Sequence, residues 1–437
     1  MASNNVAYKI TTMTIKPFAP IIILLCIAQI SFAQTIKPDT LPAPYATKSV
    51  WDFSNVIGWS GGQTPLAPAG FTVTRFASGF NNPRWMYITP NGDILVAETN
   101  GSTNIVKKVG GAIIGASKAD NLNKSANRIT LLRDDHKGKL IRTDFLTGLN
   151  QPFGMLVLGN WLYVANTDAL MRYPYKPGQL RVTGKGQKIL DLPAGKHNRH
   201  WTRNIIANHA GTKIYIAVGS GSNVAEYGVA NEILRADILE INPDGSQQKV
   251  YASGLRNPVG MGWAPGTNTL WTAVNERDEL GDELVPDYLT SVKPGGFYGW
   301  PYVYYGQHPD PRVKDPKPDI VKETIIPDID LGSHTASLGL AFYTKSKFPA
   351  KYHNGAFIAQ HGSYNRSQLS GYKVLFVPFT DGKPAGKPVD FLTGFIADIK
   401  DRKVYGRPVG VIETPDGSLL VTDDISNTIW KISSNPK

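Results

Sequence analysis

Short runs of alternating apolar and polar residues recur along the chain and are separated by glycine-containing turns. The runs Ile94-Leu95-Val96-Ala97 and Leu419-Leu420-Val421-Thr422 follow the turns Pro90-Asn91-Gly92-Asp93 and Pro415-Asp416-Gly417-Ser418. Hydrophobicity of period two around Asn-Gly or Asp-Gly predicts antiparallel β-hairpins. No long stretch has the periodicity of an amphipathic helix, so the pattern predicts an all-β chain.

Six glycines introduce these hairpin units, and in the clearest copies an aromatic or aliphatic residue follows the glycine. The clearest copies cover residues 78–83, 147–152 and 253–258, and weaker copies begin at Gly195, Gly332 and Gly394. Their spacing is too irregular for a solenoid but suits sheets that carry loop insertions. The sequence therefore predicts a six-bladed β-propeller in which equivalent loops meet at one mouth.

The N-terminus has the pattern of an export signal. Lys16 precedes an uncharged apolar stretch from Phe18 to Ile30, and a small-x-small site precedes Gln34. This predicts a signal peptide over residues 1–33, an N-terminal extension over 34–69 and a propeller domain over 70–437. A membrane anchor is the alternative, but the stretch is shorter than the roughly 20 apolar residues that a spanning helix needs.

The predicted export signal determines the compartment in which the cysteine content and the net charge are interpreted. We expect a periplasmic or secreted protein whose mature chain has no transmembrane helix. The only cysteine, Cys26, lies within the leader, so the mature chain is expected to have no disulfide. The formal net charge of +11 is scattered along the chain, and no nucleic-acid motif accompanies it. We therefore expect no nucleic-acid partner.

Residues 195–203 combine two histidines with three cations just before a predicted strand. A histidine near neutrality accepts a proton, and a nearby arginine fixes a negative oxygen through paired hydrogen bonds. Three interpretations remain open from the residues alone: a proton acceptor at His200, a metal site at His197 and His200, or ordinary loop residues. The repeat favours the first, because His200 has the same place in its unit as Gln151 and Arg256 in theirs.

Arginines recur in the loops of four predicted blades. They are Arg203, Arg256, Arg366 and Arg407. Four cations around one pocket suit a polyanionic cofactor or substrate.

Residues 275–283 contain five acidic residues, including Glu276 and Asp278. Such density requires solvation, pairing with Arg277, or a hard cation such as calcium. A solvated loop and a metal site both remain open.

These motifs together resemble the glucose/sorbosone dehydrogenases, six-bladed propellers that use pyrroloquinoline quinone, over about residues 70–433. The resemblance is greatest to the sorbosone dehydrogenase-like branch. The segments that carry it are His200-Trp201-Thr202-Arg203, Ser253-Gly254-Leu255-Arg256-Asn257-Pro258-Val259-Gly260, Asn275-Glu276-Arg277-Asp278-Glu279-Leu280-Gly281, Tyr298-Gly299-Trp300-Pro301, Gln360-His361-Gly362-Ser363 and Gly406-Arg407-Pro408-Val409-Gly410.

The resemblance implies oxidation of a sugar hydroxyl or hydrated aldehyde at the cofactor's quinone, with pyrroloquinoline quinone and Ca2+ as cofactors. It implies that His200 is the general base, that Arg256 polarises the quinone oxygen and that Asn257 helps to hold it. The other implied cofactor contacts are Gln151, Arg203, Arg366 and Arg407, and the implied calcium ligands are Glu276 and Asp278.

Electrons are expected to pass to a separate acceptor, a quinone or a cytochrome, because the chain contains no Cys-x-x-Cys-His haem site.

Two positions depart from the soluble glucose dehydrogenases. Those enzymes have Gly-Pro where this chain has Glu276-Arg277, and an aspartate where this chain has Ser220. A serine stabilises an imidazolium less than a carboxylate does, so weaker support of His200 is expected.

Two other classes of function stay open. One is a calcium-dependent propeller lactonase or esterase. The other is a carbohydrate-binding propeller without turnover, with Trp201, Trp300 and Tyr298 as stacking platforms.

Overall fold

The computed structural model describes residue 1 and residues 41–101, 119, 124–135 and 137–435 of the chain. The predicted signal peptide, apart from residue 1, and the start of the extension lie outside these residues. Contacts within the chain separate Met1–Ile36 from Lys37–Lys437, and every element described below belongs to the second unit. Among the described residues, no helix is long and apolar enough to cross a membrane.

Strands dominate the described chain, so the all-β prediction is confirmed. In chain order the strands are β1 (Asn55–Val56), β2 (Phe71–Ser78), β3 (Pro83–Ile88), β4 (Ile94–Glu98), β5 (Arg128–Asp134), β6 (Leu140–Leu146), β7 (Met155–Leu158), β8 (Trp161–Ala165), β9 (Ala169–Pro174), β10 (Gln187–Asp191), β11 (Arg203–Ala207), β12 (Ile214–Val218), β13 (Asp237–Ile241), β14 (Lys249–Ser253), β15 (Pro258–Trp263), β16 (Leu270–Val274), β17 (Pro286–Val292), β18 (Gly296–Phe297), β19 (Val303–Tyr304), β20 (His308–Pro309), β21 (Ile329–Ser333), β22 (Ser337–Phe342), β23 (Ala356–Gln360), β24 (Lys373–Val377), β25 (Phe379–Thr380), β26 (Lys383–Pro384), β27 (Val389–Leu392), β28 (Ile396–Asp398), β29 (Lys403–Val404), β30 (Pro408–Glu413), β31 (Leu419–Asp423) and β32 (Thr428–Ser434). The helical turns are α1 (Pro318–Val321) and the 3-10 turns Val229–Glu232 and Ala350–Tyr352.

Within the described residues, six sheets have four or five strands each. Their strand orders are β3-β4-β5-β6, β10-β9-β8-β7, β11-β12-β13-β14-β18, β15-β16-β17-β21, β22-β23-β24-β27 and β2-β32-β31-β30. Five sheets are formed mainly from consecutive antiparallel strands, as the hairpin pattern predicts. The sixth combines the early strand β2 with the last three strands of the chain, and β2 pairs antiparallel with β32. Pairing between distant segments was not evident from local pattern.

The first strands of the six sheets pack against one another in cyclic order. Strand β3 contacts β7, and the contacts continue through β11, β15, β22 and β30 back to β3. Each neighbouring pair of sheets also encloses its own hydrophobic cluster. Apolar burial is therefore divided among several thin cores, which is how a chain of 437 residues avoids one oversized core.

Aromatic residues fill the core between the last two sheets. Phe357 packs against Phe391 with ring centroids 4.6 Å apart, and Trp430 and Val411 of the neighbouring sheet join the same cluster. Burial of one such ring stabilises the fold by about 1.5–3 kcal/mol. Neighbouring sheets are thus held together mainly by apolar packing between their faces and not by hydrogen bonds between sheets.

Residues of the extension that are described run along three of the sheets. The Tyr45 amide donates to the Leu280 carbonyl at 2.6 Å, and β1 pairs in parallel with β29. The Trp59 indole donates to Asp423 at 2.9 Å. This part of the extension is therefore packed against the later sheets.

Candidate active site

Loops at one end of the six sheets carry the candidate residues. We call the loops that precede β3, β7, β11, β15, β22 and β30, together with those that follow β4, β8, β12, β16, β23 and β31, the loop rim. In each antiparallel pair the start of the first strand lies opposite the end of the second, as Arg203 does opposite Val218 and Pro258 opposite Val274. Residues far apart in sequence are therefore neighbours on this rim.

His200 is held on the rim in a defined orientation. Its Nδ1 lies 3.0 Å from both the carbonyl and the hydroxyl oxygen of Ser220. The Ser220 hydroxyl itself donates to the Ser222 carbonyl at 2.6 Å, so it accepts from Nδ1–H. This pattern places the proton on Nδ1 and leaves Nε2 as the proton-accepting nitrogen. Burial, together with the charges of Arg256 and Arg199, holds the pKa of His200 well below 6.5.

Gly219 brings His200 and Asn257 together across two sheets. A Cβ added at this glycine would overlap the Oδ1 of Asn257 and the Cβ of His200. A side chain at position 219 would therefore separate the two groups. Glycine is required at this position by lack of space and not by backbone conformation, since the φ of Gly219 is not positive.

We expect Gly219→Ala to reduce turnover strongly and to destabilise the fold by about 1–3 kcal/mol, because the added methyl overpacks the rim. Steady-state kinetics and urea unfolding measure both effects. The matched control is Gly62→Ala, where an added Cβ meets nothing within 4 Å. Equal behaviour of the two variants would contradict the assignment.

Arg256, which directly precedes Asn257 in the chain, is a buried cation. Its side chain is 1% exposed and donates to the carbonyls of Asn275 at 3.1 Å and Glu276 at 2.5 Å. Its Nη2 donates to Asn223 Oδ1 at 2.8 Å and lies 3.4 Å from Asp278. Loops from two adjacent sheets therefore fix the guanidinium.

Asp278 is the common acceptor of several side chains on the rim. Arg199 donates to it at 2.7 Å and the Tyr364 hydroxyl at 3.1 Å, while His334 Nδ1 lies 3.6 Å away. Burial opposes ionisation, but His334, Arg256 and Arg199 hold the pKa of the Asp278 carboxyl well below its usual range. Two arginines thus share one carboxylate.

The predicted calcium ligands Glu276 and Asp278 are engaged by arginines. Arg277 donates to Glu276 Oε2 from its backbone at 3.0 Å and from Nε at 2.9 Å. Asp278 is bound as described above. The described residues contain no group of three or more His, Cys, Asp or Glu side chains arranged for a metal. These two carboxylates do not fit a calcium site, because arginine already neutralises each of them.

The four arginines do not form the predicted ring. Arg203 is buried within its own loop and donates to the carbonyls of His200 at 2.7 Å and Pro193 at 2.5 Å. Arg366 pairs with Glu283 through two contacts of 3.1 Å near the surface. We therefore correct both predicted cofactor contacts: Arg203 supports the His200 loop, and Arg366 forms a surface ion pair.

Arg407, the fourth arginine, is buried on the rim. Its Nε and Nη2 donate to the carbonyls of His361 at 3.0 Å and Gly362 at 2.9 Å. It therefore belongs to a second polar cluster around His361 and not to the group around Arg256.

Sequence reasoning missed this second cluster. Asp424 accepts from Arg84 at 2.6 Å and from His361 Nε2 at 2.9 Å. The Arg84 guanidinium lies 5.5 Å from the ring of Trp201, the neighbour of His200. Burial and the Arg407 charge lower the pKa of His361 to about 4. The sequence could have indicated this cluster through position, because His361 and Asp424 directly follow β23 and β31, the second strands of their sheets.

A cavity of about 710 Å³ opens beside the His200 loop. Gln151, Trp201 and Arg199 line it, and Gln151 donates to the Asn100 carbonyl at 2.9 Å. His197 also lines the cavity, where its ring stacks on Tyr227 with centroids 3.7 Å apart.

Two of the three aromatic residues predicted as stacking platforms are buried. Tyr298 is 1% and Trp300 is 3% exposed, and the Trp300 indole donates to the Asn223 carbonyl at 2.9 Å. They are structural residues, and only Trp201 lines the cavity.

The rim suits an anionic ligand with polar edges. The buried polar atoms of the described chain that have no hydrogen-bond partner include Asn257 Oδ1 on the rim and Arg84 Nε in β3. Arg84, Arg199, Arg256 and Arg407 supply cations around them, and guanidinium groups are well matched to carboxylates. These donors fit a tricarboxylate such as pyrroloquinoline quinone.

Comparison with known proteins points in the same direction. The TrAA12-like family model matches residues 65–295 and 317–435. An uncharacterised protein of Borreliella burgdorferi is 32% identical over 297 residues, which are 65% of this chain and 76% of that protein. The aldose sugar dehydrogenase YliI of Escherichia coli is 32% identical over 110 residues, covering 25% of this chain and 28% of that protein.

A solved structure shares the fold at lower identity. The holo form of the pyranose dehydrogenase PQQ domain from Coprinopsis cinerea has a TM-score of 0.69 and 19% identity, covering 87% of this chain and 100% of that chain. At this identity the likeness concerns the fold.

Proposed function

Because the chain belongs to the TrAA12-like family, we propose that it oxidises a sugar or aldose with pyrroloquinoline quinone and passes the electrons to a separate acceptor, a quinone or a cytochrome. The observation that carries the proposal is the imidazole of His200, which Ser220 orients on the loop rim close to Asn257 and within the field of the Arg256 charge. We further infer that the six sheets are the blades of one propeller, since their first strands contact one another in a closed cycle.

Arginine and amide side chains would hold the cofactor. Arg256, Asn257, Arg84, Arg407 and Gln151 would supply hydrogen-bond donors to its carboxylate and carbonyl oxygens. When bound, pyrroloquinoline quinone supplies a two-electron acceptor for hydride. We propose no calcium ligation by Glu276 or Asp278, because Arg277, Arg199 and Arg256 occupy their oxygens.

His200 performs the proton transfer in this scheme. Its Nε2 accepts the proton of the substrate hydroxyl as hydride leaves the carbon that bears this hydroxyl. The Ser220 oxygens keep Nδ1–H in place. Arg256 supplies a fixed positive charge where negative charge develops, in a buried position that strengthens its effect. Sorbosone and glucose are the first substrates to test, within the branch that the motifs resemble.

The pH profile tests the protonation state of His200. Its pKa lies below the ordinary 6.5, so the neutral base persists as pH falls, and we expect the acid limb of kcat/KM below pH 6.5. Arg199→Gln removes one of the charges that lower this pKa and should move the acid limb to higher pH. Arg199→Lys retains the charge and should leave it in place. An unshifted limb in Arg199→Gln would contradict the electrostatic assignment.

Reconstitution tests the activity itself. The mature chain, beginning at Gln34 and expected in the periplasm or outside the cell, is purified without cofactor and mixed with pyrroloquinoline quinone. Bound-cofactor absorbance and dye reduction are followed over aldoses, sorbosone and simple alcohols. We expect cofactor binding and sugar-dependent reduction. Turnover of lactones or esters without the quinone would overturn the proposal in favour of a hydrolase, and sugar binding without turnover in favour of a carbohydrate-binding protein.

A further inference from the structure

An aromatic cluster outside the candidate residues lies where the extension meets the loop rim. The ring centroid of Tyr364 lies 5.4 Å from that of Phe53, and the two rings are nearly parallel at 12°. The ring centroid of Trp51 also lies 5.4 Å from that of Tyr364. The Asp52 amide between these two residues donates to the Tyr364 carbonyl at 2.8 Å. Two rings of the cluster therefore come from the extension and one from the rim.

Tyr364 connects this cluster directly to the candidate active site. Its hydroxyl donates to Asp278, the carboxylate shared by Arg199 and Arg256. One end of the tyrosine thus lies in the polar site while the ring face packs against Phe53. Trp51 lies on the same tyrosine, with its ring centroid 5.4 Å from that of Tyr364.

Trp51 differs from a residue that only anchors the extension. It is 46% exposed, one of the large apolar side chains left accessible in the described chain. Anchoring is already provided by the Asp52 amide and by Arg402, whose Nε lies 3.2 Å from the Asp52 carboxylate. An indole is not needed for these contacts, yet it presents an open face beside the site.

Charged pairs border the rings. Asp52 pairs with Arg402 and Glu283 with Arg366, and the two carboxylates are about half exposed at 53% and 51%. A pyranose ring has an apolar C–H face and a perimeter of hydroxyl groups. Aromatic rings cover such a face, while carboxylate and guanidinium groups exchange hydrogen bonds with the hydroxyls.

Resting on the proposed function, we propose that Trp51, with Phe53 and Tyr364, forms a stacking subsite for the second ring of a saccharide whose terminal sugar is oxidised at the rim. The extension then determines substrate length, and the chain favours disaccharides over single sugars. Trp51 is a specificity residue in this scheme and takes no part in proton transfer.

The test compares one-ring and two-ring sugars on the purified full chain. Calorimetry without cofactor gives Kd for glucose, cellobiose and maltose, and dye reduction with pyrroloquinoline quinone gives KM and kcat for the same sugars. We expect Trp51→Ala to weaken binding of a disaccharide about five- to tenfold, with the same rise in KM. Glucose binding and kcat should stay nearly unchanged, and Trp51→Phe should recover most of the loss.

Tyr45→Ala is the matched control, because Tyr45 lies in the same segment and is 55% exposed. It should leave both classes of sugar unaffected. Equal losses for glucose and disaccharides in Trp51→Ala, or no loss for either, would overturn the subsite. Trp51-dependent disaccharide binding without quinone-dependent turnover would keep the subsite and overturn the dehydrogenase, so the two failures are distinguishable.

Discussion

Replacing His200 with alanine should lower kcat by about a hundred- to ten-thousand-fold, the usual contribution of a positioned general base. The residue is partly buried, and the Ser220 oxygens orient its ring so that Nε2 is the proton-accepting nitrogen. Cofactor binding, followed by absorbance, should persist in this variant because the arginines of the rim remain.

His209→Ala is the control for this experiment. His209 follows β11, at the end of the sheet opposite to His200, and is exposed. The substitution removes the same side chain from the same sheet without touching the rim, so kcat should stay at the unsubstituted level. Retained activity in His200→Ala, or an equal loss in His209→Ala, would exclude His200 as the base.

Asp278→Asn should destabilise the protein by about 3–5 kcal/mol, because it leaves the buried Arg256 guanidinium without its carboxylate. Arg256 is 1% exposed and Arg199 32% exposed, and both direct Nη2 at the same Asp278 oxygen. The asparagine retains the shape of the side chain, so the loss measures charge and not volume. Urea unfolding, monitored by tryptophan fluorescence, gives the free energy of unfolding.

Glu283→Gln provides the exposed counterpart. Glu283 also pairs with an arginine, Arg366, but its side chain is 51% exposed. Water screens this pair, and its loss should cost only about 0–1 kcal/mol. If the two substitutions destabilise the protein equally, the buried network around Asp278 does not have the stabilising role assigned to it.

The departure at Ser220 has a structural counterpart. The Ser220 carbonyl and hydroxyl still orient Nδ1 of His200, so the positioning role survives the loss of a carboxylate. What is missing is negative charge at this position, and the nearby Arg256 and Arg199 lower the pKa of His200 further. His200 is thus arranged as a neutral base whose protonated form receives less support.

The charged residues show where sequence reasoning reached its limit. Arg203 and Arg256 were both predicted as cofactor contacts, because each lies near the start of a predicted blade. The structure separates them, because Arg203 starts β11 and turns into its own loop, whereas Arg256 reaches residues after β12 and β16. The direction of a long side chain depends on which carbonyls surround it, and local sequence does not reveal these.

The all-β class, the hairpins and the positions of the loops could be predicted from the amino-acid sequence, because period-two hydrophobicity and glycine turns are local properties. It also identified His200, Arg256 and Asn257, which the structure brings close together. The folded structure was needed to show that Arg199 binds Asp278, that Asp424 joins Arg84 to His361, and that Trp51 lies beside Tyr364. These contacts join residues of different sheets, or of the extension and a sheet, and short-range pattern has no information about pairings that arise only when the sheets pack together.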